Sequence, residues 1–91
     1  MLRVWGKLYK KGRIDKSLVA ENDERESDDA ERLADCINKI VLALDLPEPL
    51  WLEVNKREFE AFHRTQFAAE HFFEPFAYEK LEIEVIEADD K

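Results

Sequence analysis

Glu60-Ala61-Phe62-His63 sets a carboxylate and an imidazole at i and i+3, which puts both on one face of a helix. Four-helix di-metal proteins use that spacing twice, with two further glutamates. This chain has one such pair, so only a dimer could complete a site of that kind. Glu70, His71 and Glu74 form a second group of potential ligands. His63 and His71 lie eight residues apart and would not chelate together on one straight helix; a break between them would change that. With Arg64, these residues are the candidate metal- or small-ligand-binding set: Glu60, His63, Arg64, Glu70, His71 and Glu74. Surface ion pairing and aromatic packing account for the same residues more simply.

Other chemistry finds less support. Ser17 and Ser27 are the only serines, and neither sits in a strand-to-helix elbow flanked by glycines. Cys36 falls about 90° from the centre of an apolar helical stripe, and its sequence neighbours Ala34, Asp35 and Ile37 offer no positive charge to activate a thiol. Gly6 and Gly12 are the only glycines, so no glycine-rich loop can cradle a phosphate. Among 22 acidic residues some pairs must fall close together, and such proximity alone carries no information. No catalytic residue and no cofactor is expected, and the reading leans away from an enzyme.

The elements that would position these groups follow from periodicity. Leu2–Tyr9 alternates, with Leu2, Val4 and Leu8 on one face and Arg3, Trp5, Lys7 and Tyr9 on the other, as in a half-buried strand. Lys10-Lys11-Gly12-Arg13 reads as a hairpin turn, and Ile14–Ala20 as a weaker second strand whose apolar face Lys16 interrupts. Glu21–Glu31 holds seven acids but lacks the ligand spacing and central glycine of a calcium loop. Ser27 or Asp28 caps a helix over 28–44, with Ala30, Leu33, Ile37, Ile40, Val41 and Leu44 as its apolar stripe. Pro47 and Pro49 end it. Leu50–Val54 is either a short strand or an extended segment that pins Trp51. Asn55 with Glu58 resembles a capping-box start for a second helix. Phe67, five residues after Phe62, breaks the helical phase, so that helix either continues to Phe73 or stops near His63–Thr65, with a short piece beginning near Ala68; the break is preferred. Leu81–Ile86 alternates cleanly as a strand, and an acidic tail frays beyond it, within 86–91.

These elements predict one α+β domain over residues 1–91. It is a small two-layer sandwich of order ββααβ, with a three-stranded sheet, or a four-stranded one if Leu50–Val54 joins it, covered on one face by two helices. Eight of the ten aromatic residues fall between Trp51 and Tyr78, and they are expected to supply the bulk of the core. The polar stretch His63–Phe67 between them is the place to look for a ligand or partner contact.

Charge is distributed unevenly. The net charge is −8, yet residues 1–16 carry +5 and the remaining 75 carry −13. If the last strand pairs with the first, Glu82 and Glu84 neighbour Arg3 and Lys7. The acidic remainder would repel phosphate, which disfavours nucleic acid. The face opposite the helices then presents Trp5, Tyr9 and Val19 among Arg3, Lys7, Glu82 and Glu84, with Ile86 a further candidate. An aromatic centre with a charged rim suits protein binding, first of all self-association as a homodimer. The competing account is a wet face whose charged stems cover the rings. The longest apolar run, Ile40–Leu44, is too short to span a membrane. No apolar segment follows the N-terminal basic residues, so no signal peptide is expected. The single cysteine fits a reducing, cytoplasmic setting.

The C-terminal half, with Pro49-Leu50-Trp51-Leu52, Phe59, Arg64-Thr65, His71-Phe72 and Leu81-Glu82-Ile83-Glu84, resembles short bacterial proteins of no assigned role. That resemblance implies a small cytosolic bacterial protein and transfers no activity or site.

Overall fold

A computed structural model describes residues 1–24, 26 and 28–87, with the backbone alone at residue 29. The N-terminal alternation forms β1 (Leu2–Lys10) and β2 (Arg13–Asn22), an antiparallel pair. They are joined through Lys11 and Gly12, whose φ angles of 55° and 73° are the paired left-handed conformations of a type I′ turn. Asp15 is inserted as a bulge, because Leu8 faces Lys16 while Tyr9 faces Ile14. The bulge carries Ile14 to the Tyr9 side, away from the Leu18 and Ala20 face on which the alternation places it.

Helix α1 (Asp29–Ala43) begins where expected, with the Asp28 carboxylate accepting the Glu31 N–H at 2.8 Å. Ser27, the alternative cap, lies outside the described residues. Helix α2 (Glu53–Phe62) begins two residues before Asn55, with Leu52 as its cap. The Asn55 side chain instead accepts the Leu52 N–H at 2.9 Å from inside the first turn, which is the returning half of a capping box. Leu50–Val54 is therefore not a strand: the Leu50 N–H donates to the His71 carbonyl, and Glu53 is already helical.

The break after Phe62 is present. His63 takes φ 58° as a left-handed helix terminus. The segment beyond it departs from expectation, since Arg64–Phe67 is a four-residue strand, β3. A single 3₁₀ turn, Ala69–His71, stands where the second helical piece was expected. Strand β4 (Lys80–Glu87) takes in Ile86 and Glu87, and the rest of the tail lies outside the described residues. The order is thus ββααββ, not ββααβ; the sheet has a fourth strand, but it comes from Arg64–Phe67 rather than Leu50–Val54.

The sheet is antiparallel throughout, in the order β2-β1-β4-β3. Register aligns Leu18, Gly6, Ile83 and Thr65 across all four strands on one face. Both helices cover that face. Ile40 of α1 lies on Gly6, and Asn55 of α2 reaches Thr65. The core comprises Leu2, Val4 and Leu8 of β1, Ala20 of β2, Cys36, Ile37, Ile40 and Val41 of α1, Phe67, Phe72, Leu81 and Ile83, with Trp51 and Phe59 among the residues packed against it. Trp51 meets Phe67 and Phe59 edge-to-face, with ring centroids 5.1 and 5.7 Å apart. Two aromatics expected in the core lie outside it: Phe62 is 66% exposed and Phe73 87%. No helix among the described residues is long and apolar enough to cross a membrane.

Two backbone positions give direct tests. A Cβ on Gly6 would stand 2.5 Å from Ile40 Cγ2, so Gly6→Ala should cost about 1–3 kcal/mol by urea denaturation. Combined with Ile40→Ala, its increment should be smaller than in the wild-type background. His63→Gly should add about 0.5–1 kcal/mol by relieving the left-handed terminus, measured the same way.

Candidate functional site

The face opposite the helices is built by period two alone. Arg3, Trp5, Lys7 and Tyr9 project from β1, with Glu84 and Val19 beside Trp5, Glu82 and Ser17 beside Lys7, and Arg64 and Gln66 on β3 beyond the two glutamates. No described element lies over this face.

At its centre is an ion cluster. Lys7 Nζ lies 2.9 Å from Glu82 Oε1 and 2.9 Å from Glu84 Oε1. Glu82 also accepts hydrogen bonds from the Tyr9 hydroxyl on Oε1 and the Gln66 amide on Oε2, both at 3.2 Å. The ammonium sits 4.0 Å from the centroid of the Trp5 ring. Together these neighbours leave Lys7 only 6% exposed. Burial works against the Lys7 charge, but hydrogen bonds to Glu84 and Glu82 outweigh it and hold its pKa above the usual lysine value. Burial likewise opposes ionised Glu82, and the hydrogen bonds from Lys7 and Gln66 outweigh it, so its carboxyl titrates below the usual range. Burial, then the Glu82 charge, pushes the Tyr9 phenol up. Farther along β1, Arg3 Nε pairs with Glu21 at 2.9 Å and Glu87 at 3.5 Å. Lys80 lies over the Tyr9 ring, 4.6 Å from its centroid.

The seven residues expected on this face therefore occupy it, in an altered balance. Lys7 and Lys80 cap the two rings, and the apolar side chains left open include Val19 and Ile14 on β2, each 45% exposed, and Ile86 on β4, 47% exposed. Ile86 falls at the bulge between the Arg3–Glu87 and Val4–Val85 pairs.

The candidate ligand set is spread out. Glu60 is exposed on α2, His63 forms that helix's terminus, and Arg64 starts β3. Glu70 and His71 belong to the 3₁₀ turn, and Glu74 lies beyond it. His71 is buried with Nδ1 accepting the Ala68 N–H at 3.0 Å, so one ring nitrogen is committed to holding its own turn. Its Nε2 is buried without a hydrogen-bond partner, and the ring packs edge-on against Phe67, centroids 5.6 Å apart. Among the described residues, no three His, Cys, Asp or Glu side chains gather to hold a metal ion. Cys36 is buried in the core, where desolvation pushes its thiol pKa up, away from nucleophilic use.

Arg64 does join another grouping, a shallow depression at the free edge of β3 lined with Glu58, Phe62, Thr65, Gln66 and Glu82. A polar joint lies beneath it. Asn55, 1% exposed, donates to Thr65 Oγ1 at 2.9 Å and to the Gln66 carbonyl at 3.0 Å, and the Thr65 hydroxyl donates to Glu58 at 2.7 Å. Both amide hydrogens of Asn55 are used, and one satisfies a carbonyl on an edge strand. This joint was unforeseen; its signal was the Thr65/Phe67 against Arg64/Gln66 alternation, only four residues long.

No protein-family model, curated protein or solved structure matches the chain. Its function therefore has to be read from the chemistry of the site itself.

Removing Lys7 tests the cluster. Lys7→Met should cost about 2–4 kcal/mol at pH 7, because the buried Glu82 and the partly exposed Glu84 lose their counter-charge. The wild-type contribution has a definite pH window. Glu82 is lowered from about 4.5, so its part is complete above that value and fades as pH falls through its folded pKa; Lys7 is raised from about 10.5, so its part fades as pH climbs beyond that. Denaturation at several pH values should show the gap between wild type and Lys7→Met narrowing below pH 4.5.

Proposed function

We propose that this chain is a non-catalytic protein that acts through protein–protein binding across the uncovered sheet face, first of all with a second copy of itself. The observation that carries the reading is the state of Lys7. It lies on a layer that no described element covers, yet it is 6% exposed and ion-paired with two carboxylates. A charge left unpaired when a partner excludes water costs several kcal/mol. Here the desolvation is already met within one chain, so covering the cluster leaves no lone ion behind. Val19 and Ile14 beside it provide apolar area, and Arg3, Glu21 and Glu87 form a polar margin. Such a patch can meet itself about a two-fold axis.

Support also comes from the strand order. β2 is ten residues long and stands at the sheet edge, so its outer backbone groups adjoin the same patch. The buried lone thiol suits a reducing compartment, and the proposal places the chain in the cytoplasm.

Val19→Asp is the clean variant, since Val19 is half exposed while reversing the buried Lys7 would damage the fold. Sedimentation velocity at micromolar concentration should show wild-type dimer. Val19→Asp should weaken association at least about tenfold, with an unchanged far-ultraviolet circular-dichroism spectrum. A wild-type chain that stays monomeric at hundreds of micromolar would remove self-association.

A further inference from the structure

The helical layer carries a second surface, separate from the uncovered sheet face. α1 rests on β1 and β2 while α2 rests on β3, and the connection between the helices crosses the space they leave. A groove results, with Ala34, Ile37 and Val41 of α1 on one side and Pro49 and Trp51 on the other. A second hollow shares Glu48, Pro49 and Trp51 with it and is lined also by Leu50, Phe73 and Glu74.

Phe73 is the most exposed large apolar side chain among the described residues, at 87%. It is not on a loose end. Its neighbour Phe72 is buried and stacked on Phe76, with centroids 4.2 Å apart and rings 12° from parallel. Anchoring Phe72 inward projects Phe73 outward, beside the groove. The charged residues that line the groove are Glu48 and Glu74, and no Lys or Arg does. Neither glutamate is ion-paired with another described residue. An apolar slot ending in a presented aromatic ring, with unpaired carboxylates on its margin, complements apolar side chains interleaved with cations. A second copy would bring a net charge of −8 to an acidic margin, and an anionic membrane would meet the same repulsion.

We propose that this groove docks a short basic amphipathic segment of a partner protein, its apolar side chains against Trp51 and Phe73 and its Lys or Arg side chains toward Glu48 and Glu74. The site lies on the layer opposite the sheet face, so it stays open in monomer and dimer alike.

The test is a titration of the ¹⁵N-labelled full chain with a synthetic amphipathic Leu/Lys peptide, using a Leu/Glu peptide of the same pattern as control. Saturable shifts are expected at Ile37, Val41, the Trp51 indole and Phe73 with the Lys peptide alone, weakening as salt is raised. Phe73→Ala, and separately the Glu48→Lys/Glu74→Lys pair, should each weaken binding at least about tenfold without changing the melting temperature. The proposal is overturned if the shifts centre elsewhere, if the Leu/Glu peptide binds equally, or if Phe73→Ala binds as wild type. It is also overturned if the groove resonances move with protein concentration alone, which would make a second copy the occupant.

Discussion

The ammonium of Lys7, held between Glu82 and Glu84, determines how the two central strands can meet. Side chains alternate across a strand, so a one-residue slip of β4 against β1 would turn both glutamates into the layer under the helices and lift Leu81 and Ile83 into water. The ion cluster and the apolar face thus select the same register from opposite sides of the sheet. The cluster contributes modest net stability, because desolvation offsets much of its Coulomb attraction. Its larger effect is on specificity, since a one-residue slip separates Lys7 from both glutamates and buries them without their counter-charge.

With β1 and β4 fixed, the chain has to carry its helices from the β2 edge to the β3 edge. α1 is tied to β2 through Asp35, which accepts from Asn22 and pairs with Lys39, each at 2.8 Å, while Lys39 also donates to the Glu21 carbonyl. Hydrogen bonds from Lys39 and Asn22 hold the Asp35 carboxyl below its usual range. α2 is tied to β3 by the buried amide of Asn55. One end of the layer is therefore joined by exposed ion pairs and the other by a buried, fully satisfied polar joint. The second is costlier to disturb, because removing one partner strands the others out of water.

Periodicity made the hairpin, α1, β4 and the β1–β4 pairing legible, because each is long enough for its pattern to repeat. β3 was not legible. Four residues give only two alternations, and its inward Thr65 is polar, acceptable there because Asn55 and Glu58 meet it across the layer. The start of α2 was misplaced for a related reason. Asn55 has the side chain of a cap but bonds back from the first turn, and the two placements share one residue pattern. Ile14 moved to the other face because a bulge leaves no trace in alternation. The residues of the uncovered face followed from parity alone. Which apolar groups stay exposed there did not, since that depends on where Lys7 and Lys80 rest on Trp5 and Tyr9.

The uneven charge of the chain can now be divided by use. Of the cations in residues 1–16, Arg3 and Lys7 are consumed by Glu21, Glu87, Glu82 and Glu84 within the sheet. Glu79 accepts the Gly12 N–H at 2.8 Å, so the hairpin turn also leans on an acid from the segment before β4. Strand pairing thus absorbs two of the six N-terminal cations. The acid with no such use includes Glu48 and Glu74, beside an apolar groove on the helical side. Sheet and helical layers therefore differ in kind: the centre of the sheet face pairs its charges internally, and the helical side keeps Glu48 and Glu74 next to exposed apolar surface.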